Sequence, residues 1–315
     1  MIARPDPDAL LAGPLGTWLN DQAGLRAQTR EKAQNRFYWA VGAAALAVFV
    51  VVVRGGPVPM ALELGALIGA GGFGWMAWTR RPVEVRIKAA INSAIAQALG
   101  LDYSTVVTDP QPFERACAFE LLPSHDKAST EDQWSGPLGG QRFCLHEARL
   151  TEERGTGRDR RTVTVFAGVL MAVSFARQFS GVTLIRRKSR GLGLIKSLFG
   201  AGDSLTVNGR QLQRIDLVDP RFGDSFEVWS SDQVEGHYLV NPSYVERLIA
   251  IEQAFAGEKI RALFVDGELV IALESGNLFE SGSLDATDDR KRLEQTITQF
   301  TSLADLAVQL NERPR

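Results

Sequence analysis

The chain has 315 residues, 45% of them hydrophobic and 23% charged, with a formal net charge of −2. That length allows about two ordinary domains, and the near-neutral balance gives no global electrostatic case for nucleic acid. Cys117 and Cys144 are too few for a disulfide framework and lack metal-ligand spacing, which fits a reducing compartment.

The first apolar run starts only after residue 36, and no small-residue cleavage site closes it, so a retained anchor is expected. Residues 1–36 form an N-terminal segment whose part from 9 to 36 reads as a helix broken near Gly13-Pro14. Leu15, Trp18, Leu19 and Leu25 lie on one side of it. Residues 37–78 then read as a transmembrane helical hairpin. Its first span, Phe37 to Val53, reaches roughly 25 Å as a helix, about the thickness of the hydrocarbon core. Phe37, Tyr38 and Trp39 open it as an interfacial aromatic belt. The second span, about Val58 to Trp78, closes on Trp75 and Trp78, and Arg54-Gly55-Gly56-Pro57 makes the reversal. Neither span has the polar stripe of a soluble core helix.

Basic residues set the expected direction. Arg26, Arg30, Lys32 and Arg36 precede the hairpin, and Arg80, Arg81, Arg86 and Lys88 follow it, whereas the loop holds only Arg54. The positive-inside rule then places both termini, and the large C-terminal part, in the cytoplasm at a bacterial inner membrane. Ala61, Gly65 and Gly69 fall on one face of the second span. That face suits close helix packing, within the hairpin or between copies in a homo-oligomer. Glu63 is the one acid inside a span, and an intramembrane carboxylate is a functional candidate by default. Residues 79–101 read as a stalk or linker helix, with Val83, Ile87, Ile91, Ile95 and Leu99 recurring every four positions.

From residue 102 to 315 the pattern is α+β with a largely antiparallel sheet and packed helices. Strands are expected at Arg142–Glu152, Thr162–Phe175, Val182–Arg186, Gln213–Val218, Phe226–Ser230 and Gly236–Val240. Thr105 to Trp134 carries mainly turn signals. Asp266-Gly267 between Ile260–Val265 and Glu268–Glu274 is a strong hairpin signal. Asn241-Pro242 starts a helix, and a last helix covers about Asp288–Leu310.

Three stretches of this domain carry a resemblance: EARLTEERGTGRDRRTVTVFAGVLMAVSF followed by GVTLI, SFEVWSSDQVEGHYLVNPSYVERL, and IRALFVDGELVIALE with FESGSL. The chain resembles the bacterial DUF3137 family over roughly residues 80–310. Gly236 and His237 stand where that family's pattern usually has Ala and Arg. The resemblance implies a membrane-anchored α+β architecture and a LemA-type membrane protein as a partner; it implies no catalytic residues.

No catalytic, cofactor or metal motif is present. His125, His146 and His237 lack ligand spacing, and no nucleophile elbow, phosphate loop or dinucleotide fingerprint occurs. Asp232, Glu235 and His237 form a local polar cluster. On a strand Glu235 and His237 would share a face, whereas a structural charge network is the plainer reading. Arg186, Arg187, Lys188 and Lys196 with Leu194 and Phe199 mix cations and apolar side chains, which suits contact with an anionic membrane surface or a basic loop packed on the domain. The leading expectation is a membrane-anchored interaction or scaffold module without a cofactor. A membrane-bound enzyme of unrecognised type and an oligomeric channel or transporter component remain alternatives.

Overall fold

The computed structural model describes residues 2–175, 179–187, 204–216, 226–254 and 258–311. The fold is α+β, with two long apolar N-terminal helices followed by a large antiparallel sheet with helices. Its contacts divide the chain into two compact units. One contains Pro5–Ile95 together with Glu280–Thr296; the other contains Ala96–Phe279 and the chain from Ile297.

The helical unit begins with α1 (Pro7–Ala12), α2 (Pro14–Asp21) and α3 (Ala23–Val53). Asp6 caps α1 by accepting from the Asp8 amide, and Pro7 and Pro14 sit at first helical positions, where their missing N–H costs nothing. The break expected near Gly13-Pro14 falls between α1 and α2, a second falls at Gln22, and the last part runs on into the first apolar span as one 31-residue helix. Gly55, at φ +76, allows the reversal into α4 (Val58–Ala98).

The sequence places a boundary between the second span and the stalk helix. The structure instead has one 41-residue helix running through Pro82. Proline removes one backbone bond, but Ile87, Ile91 and Ile95 beyond it are fully buried, and their packing sustains the helix. At the hairpin, a Cβ added to Gly65 would lie 2.6 Å from Val48 Cγ2, and one added to Gly72 would lie 2.0 Å from Ala40 Cβ. α3 and α4 approach through these two glycines. Arg36 lies 4.6 Å over the Trp75 ring and donates to the Thr79 hydroxyl.

Residues 280–296 complete this unit. Lys88 pairs with Glu280 at 2.6 Å, Ser281 donates to Asn92 at 2.7 Å, and Arg26 pairs with Asp289 at 2.7 Å. Gly282 is needed for the approach, because a Cβ there would lie 2.1 Å from the Glu84 carbonyl oxygen.

In the second unit the described strands are β1 (Asp102–Ser104), β2 (Lys127–Leu138), β3 (Gln141–Arg154), β4 (Arg161–Ser174), β5 (Thr183–Arg187), β6 (Ser204–Val207), β7 (Arg210–Ile215), β8 (Phe226–Ser230), β9 (Glu258–Val265) and β10 (Glu268–Glu274). They form one sheet in the order β1-β2-β3-β4-β10-β9-β5-β8-β7-β6, antiparallel at each described pairing. Three described tight turns have both central residues at positive φ: Gly139 and Gly140 before β3, Asn208 and Gly209 before β7, and Asp266 and Gly267 before β10.

Helices cover both faces. On one, α5 (Gln111–Ala118) and the chain after it place Ala116, Phe119, Leu121 and Leu122 against Leu150, Leu170, Leu263 and Val270. On the other, Phe300 of α8 (Asp289–Asn311) stacks on Trp134 at 4.4 Å, and Tyr244 of α7 (Pro242–Ala254) meets Phe264 at 5.3 Å. The strand expected at Gly236–Val240 is instead helix α6 (Gln233–Leu239). Asp232 caps it by accepting from the Glu235 amide, and this cap outweighs the local β propensity. α5 and most of β2 lie where only turns are legible, because 105–134 has no sustained alternation.

Candidate functional site

β3 alternates, so Cys144, His146, Ala148 and Leu150 share one face. A cavity of about 240 Å³ opens at the Cys144 end of that face, lined among others by Asp109, Pro112, Arg142, Cys144, Ala172 and Glu268. Glu268 is the first residue of β10 and is buried, and Arg115 and Arg142 both donate to its carboxylate. This pairs a buried acid with two guanidiniums, as burial requires.

Burial pushes the Cys144 thiol up to about 12; Asp109 and Glu268 add to the shift and Arg142 opposes it. His146 is fully buried, and neither ring nitrogen has a hydrogen-bond partner. Burial pulls its imidazole down to about 4, against the opposing effect of Asp109. Both groups are therefore neutral at pH 7. A nucleophilic cysteine needs a depressed pKa or an adjacent base, and Cys144 has been shifted the other way. The arrangement is a small cleft with a charged rim, and burial keeps its thiol protonated.

A second grouping lies at a bulge. One carboxylate oxygen from each of Glu131, Asp132 and Glu147 lies within 4.8 Å of the others. The β2–β3 register shifts between Glu131 and Trp134, and Asp132 takes a φ of +58 there. Tyr103 donates its hydroxyl to Asp132, and the Leu278 amide donates to Glu147 at 3.0 Å. These protein donors give the buried acids a structural role in tying β1 and the 278 segment to the sheet. The grouping is invisible in sequence, because register and a bulge assemble it from adjacent strands.

The sequence-predicted residues are dispersed. Glu235 accepts from the amides of Ser180, at 3.1 Å, and Gly181, at 2.7 Å. His237 is exposed. Two positions apart on a helix rather than a strand, Glu235 and His237 do not share a face, so the acid–base pairing does not form. Arg186 donates to the carbonyl of Glu120 at 2.7 Å, and Arg187 lies 4.6 Å over the Phe226 ring. Both cations are engaged by the domain itself. Lys188, Leu194, Lys196 and Phe199 fall outside the described residues. Ala61 is fully buried and Gly65 faces α3, whereas a Cβ at Gly69 would meet nothing within 4 Å. Glu63 is exposed on α4. Val234 and Tyr238, one turn apart on α6, are large apolar side chains left exposed at 82% and 55%.

α3 and α4 are long and apolar enough to cross a membrane. Trp39, Leu46, Phe49, Leu67 and Phe73 are each more than half exposed on them, unlike the side chains of a soluble core helix.

No curated protein matches the chain. Among solved structures it is similar to the crystal structure of the mycobacterial trehalose monomycolate transport factor A, TtfA, at 12% identity over 73% of this chain and 99% of that one. The TM-score of 0.34 is too low to carry an argument about fold or activity. The family model of DUF3137, described as a protein of unknown function, matches residues 164–312, so the family resemblance read from the sequence is shown over that stretch.

Proposed function

We propose that this chain is a membrane-anchored interaction or scaffold module of the bacterial inner membrane, with both termini and the sheet unit in the cytoplasm. The observation that carries the reading is the hairpin of α3 and α4: its large apolar side chains face outward and its ends are basic. Arg26 and Lys88, two of the flanking cations, are buried in pairs with Asp289 and Glu280. Arg30, Lys32, Arg36, Arg80, Arg81 and Arg86 still outnumber the single Arg54 of the loop. α4 ends at Ala98 and β1 begins at Asp102, so only a short connection separates anchor from sheet. The neutral Cys144 and His146 and the separation of Glu235 from His237 favour binding over catalysis.

Single cysteines placed at Gly55 and at Asn208 in a chain lacking Cys117 and Cys144 test the topology. A membrane-impermeant maleimide applied to intact spheroplasts should label position 55 and spare position 208. Labelling of 208 with protection of 55 would reverse the topology, and release of the chain by alkaline carbonate would remove the anchor.

A further inference from the structure

The helical unit contains a cavity of about 290 Å³ that no function yet uses. Its wall combines Arg30 of α3, Met76 and Arg80 of α4, and Asp285, Asp288 and Arg292 from the segment that completes the unit. Three guanidiniums and two carboxylates thus surround one cavity, with Met76 adding an apolar surface. The ion pairs already made by these residues are partly solvent-exposed, including that of Arg80 with Glu84 at 2.9 Å. Arg30 meets Asp285 at 3.1 Å with side chains 54% and 40% exposed, and Arg292 meets Asp288 at 3.7 Å. Exposed ion pairs of this kind contribute little, so an incoming ligand can replace them at small cost.

Depth identifies the ligand. Arg30 lies seven residues before Phe37, roughly 10 Å along the helix. Met76 sits within the Trp75–Trp78 belt and Arg80 just beyond it. If the hairpin spans the membrane as proposed above, the cavity runs from Met76 in the aromatic belt through the headgroup layer, roughly 5–8 Å thick on each side, to its outer edge, where Arg30 is rooted. A headgroup carrying only negative charge would satisfy the arginines and be repelled by Asp285 and Asp288. A zwitterionic one satisfies both signs: its phosphate meets the guanidiniums and its ammonium meets the carboxylates.

We propose that the cavity bounded by Arg30, Arg80, Arg292, Asp285 and Asp288 binds the phosphoethanolamine headgroup of a membrane phospholipid. Met76 lies against the glycerol end.

Native mass spectrometry of the delipidated full chain in mild detergent tests this, with phosphatidylethanolamine, phosphatidylglycerol and free O-phosphoethanolamine as probes. One phosphatidylethanolamine should bind per chain, at least about fivefold more tightly than phosphatidylglycerol. Arg80→Gln should weaken it, and Gln34→Trp, which fills the cavity from α3 without changing charge, should displace it. Asp288→Asn should abolish the preference for phosphatidylethanolamine over phosphatidylglycerol. Equal binding of the two lipids by the unmodified chain overturns the proposal. So does undiminished binding in both Arg80→Gln and Gln34→Trp. Free O-phosphoethanolamine binding as tightly as the lipid overturns the lipid assignment in favour of a soluble phosphate ester. Carbonate extraction of the same membranes separates the two levels: a chain released by the wash defeats the anchor reading, and a retained chain without lipid preference defeats only the headgroup site.

Discussion

Arg26 and Asp289, 263 positions apart, form a two-contact ion pair at 2.9 and 2.7 Å with the Arg26 side chain only 2% exposed. It ties the start of α3 to the start of α8 inside the helical unit. Nε and Nη2 of Arg26 are buried without a hydrogen-bond partner, and burial raises the Asp289 carboxyl above its usual value despite the guanidinium beside it. The pair is therefore held against a desolvation cost rather than free of one.

Removing one partner should be worse than removing both. Arg26→Met leaves Asp289 buried and unpaired, which costs about 3–5 kcal/mol, whereas Arg26→Met with Asp289→Leu should recover much of that. Thermal unfolding of Arg26→Met, Asp289→Leu and the double variant in detergent checks it. A double-variant loss equal to the sum of the two single losses would show that the pair has no coupling.

His146 should make stability depend on pH. Its folded pKa of about 4 lies below the ordinary 6.5, so between these values the unfolded chain binds more protons than the folded one. Stability is complete above pH 6.5, is lost as pH falls toward 4, and levels off below that. The loss is about 3 kcal/mol. His146→Leu should lack this component, and the difference between the two pH profiles measures it.

The thiols should be slow. With Cys144 pushed up to about 12, and Cys117 also raised by burial, both stay protonated at pH 8 in the folded chain. Iodoacetamide should modify neither at the rate of a free thiol, and both should react once the chain is denatured. Rapid modification of Cys144 in the folded chain would reopen a nucleophilic role.

Gly72 should resist enlargement where Gly69 does not. A Cβ at Gly72 meets Ala40 Cβ at 2.0 Å, whereas the same atom at Gly69 meets nothing within 4 Å. Gly72→Leu should destabilise the hairpin by about 1–3 kcal/mol, and Gly69→Leu should leave it near the parent value. Melting in detergent reads both. If Gly69→Leu instead lowers the native mass of an assembly, that face holds copies together.

The local signals were those with strong periodicity or turn chemistry. Alternation over Thr162–Phe175 predicted β4, and Asp266-Gly267 predicted the β9–β10 turn. Asn208-Gly209 carries the same signal, but β6 before it has four residues, too few to show a sustained alternation. Gly236–Leu239 is helical rather than extended because a short apolar run fits either period and the Asp232 cap decides for helix.

The apolar hairpin with its basic flanks and the strands with period-two alternation are written in the chain itself, since each depends on neighbours within a few residues. That 280–296 joins the helical unit, that Arg26 and Lys88 are internal partners, and that Glu131, Asp132 and Glu147 converge emerges from the folded chain alone. Those outcomes depend on strand register, a bulge and pairings across hundreds of residues, which one-dimensional periodicity does not encode.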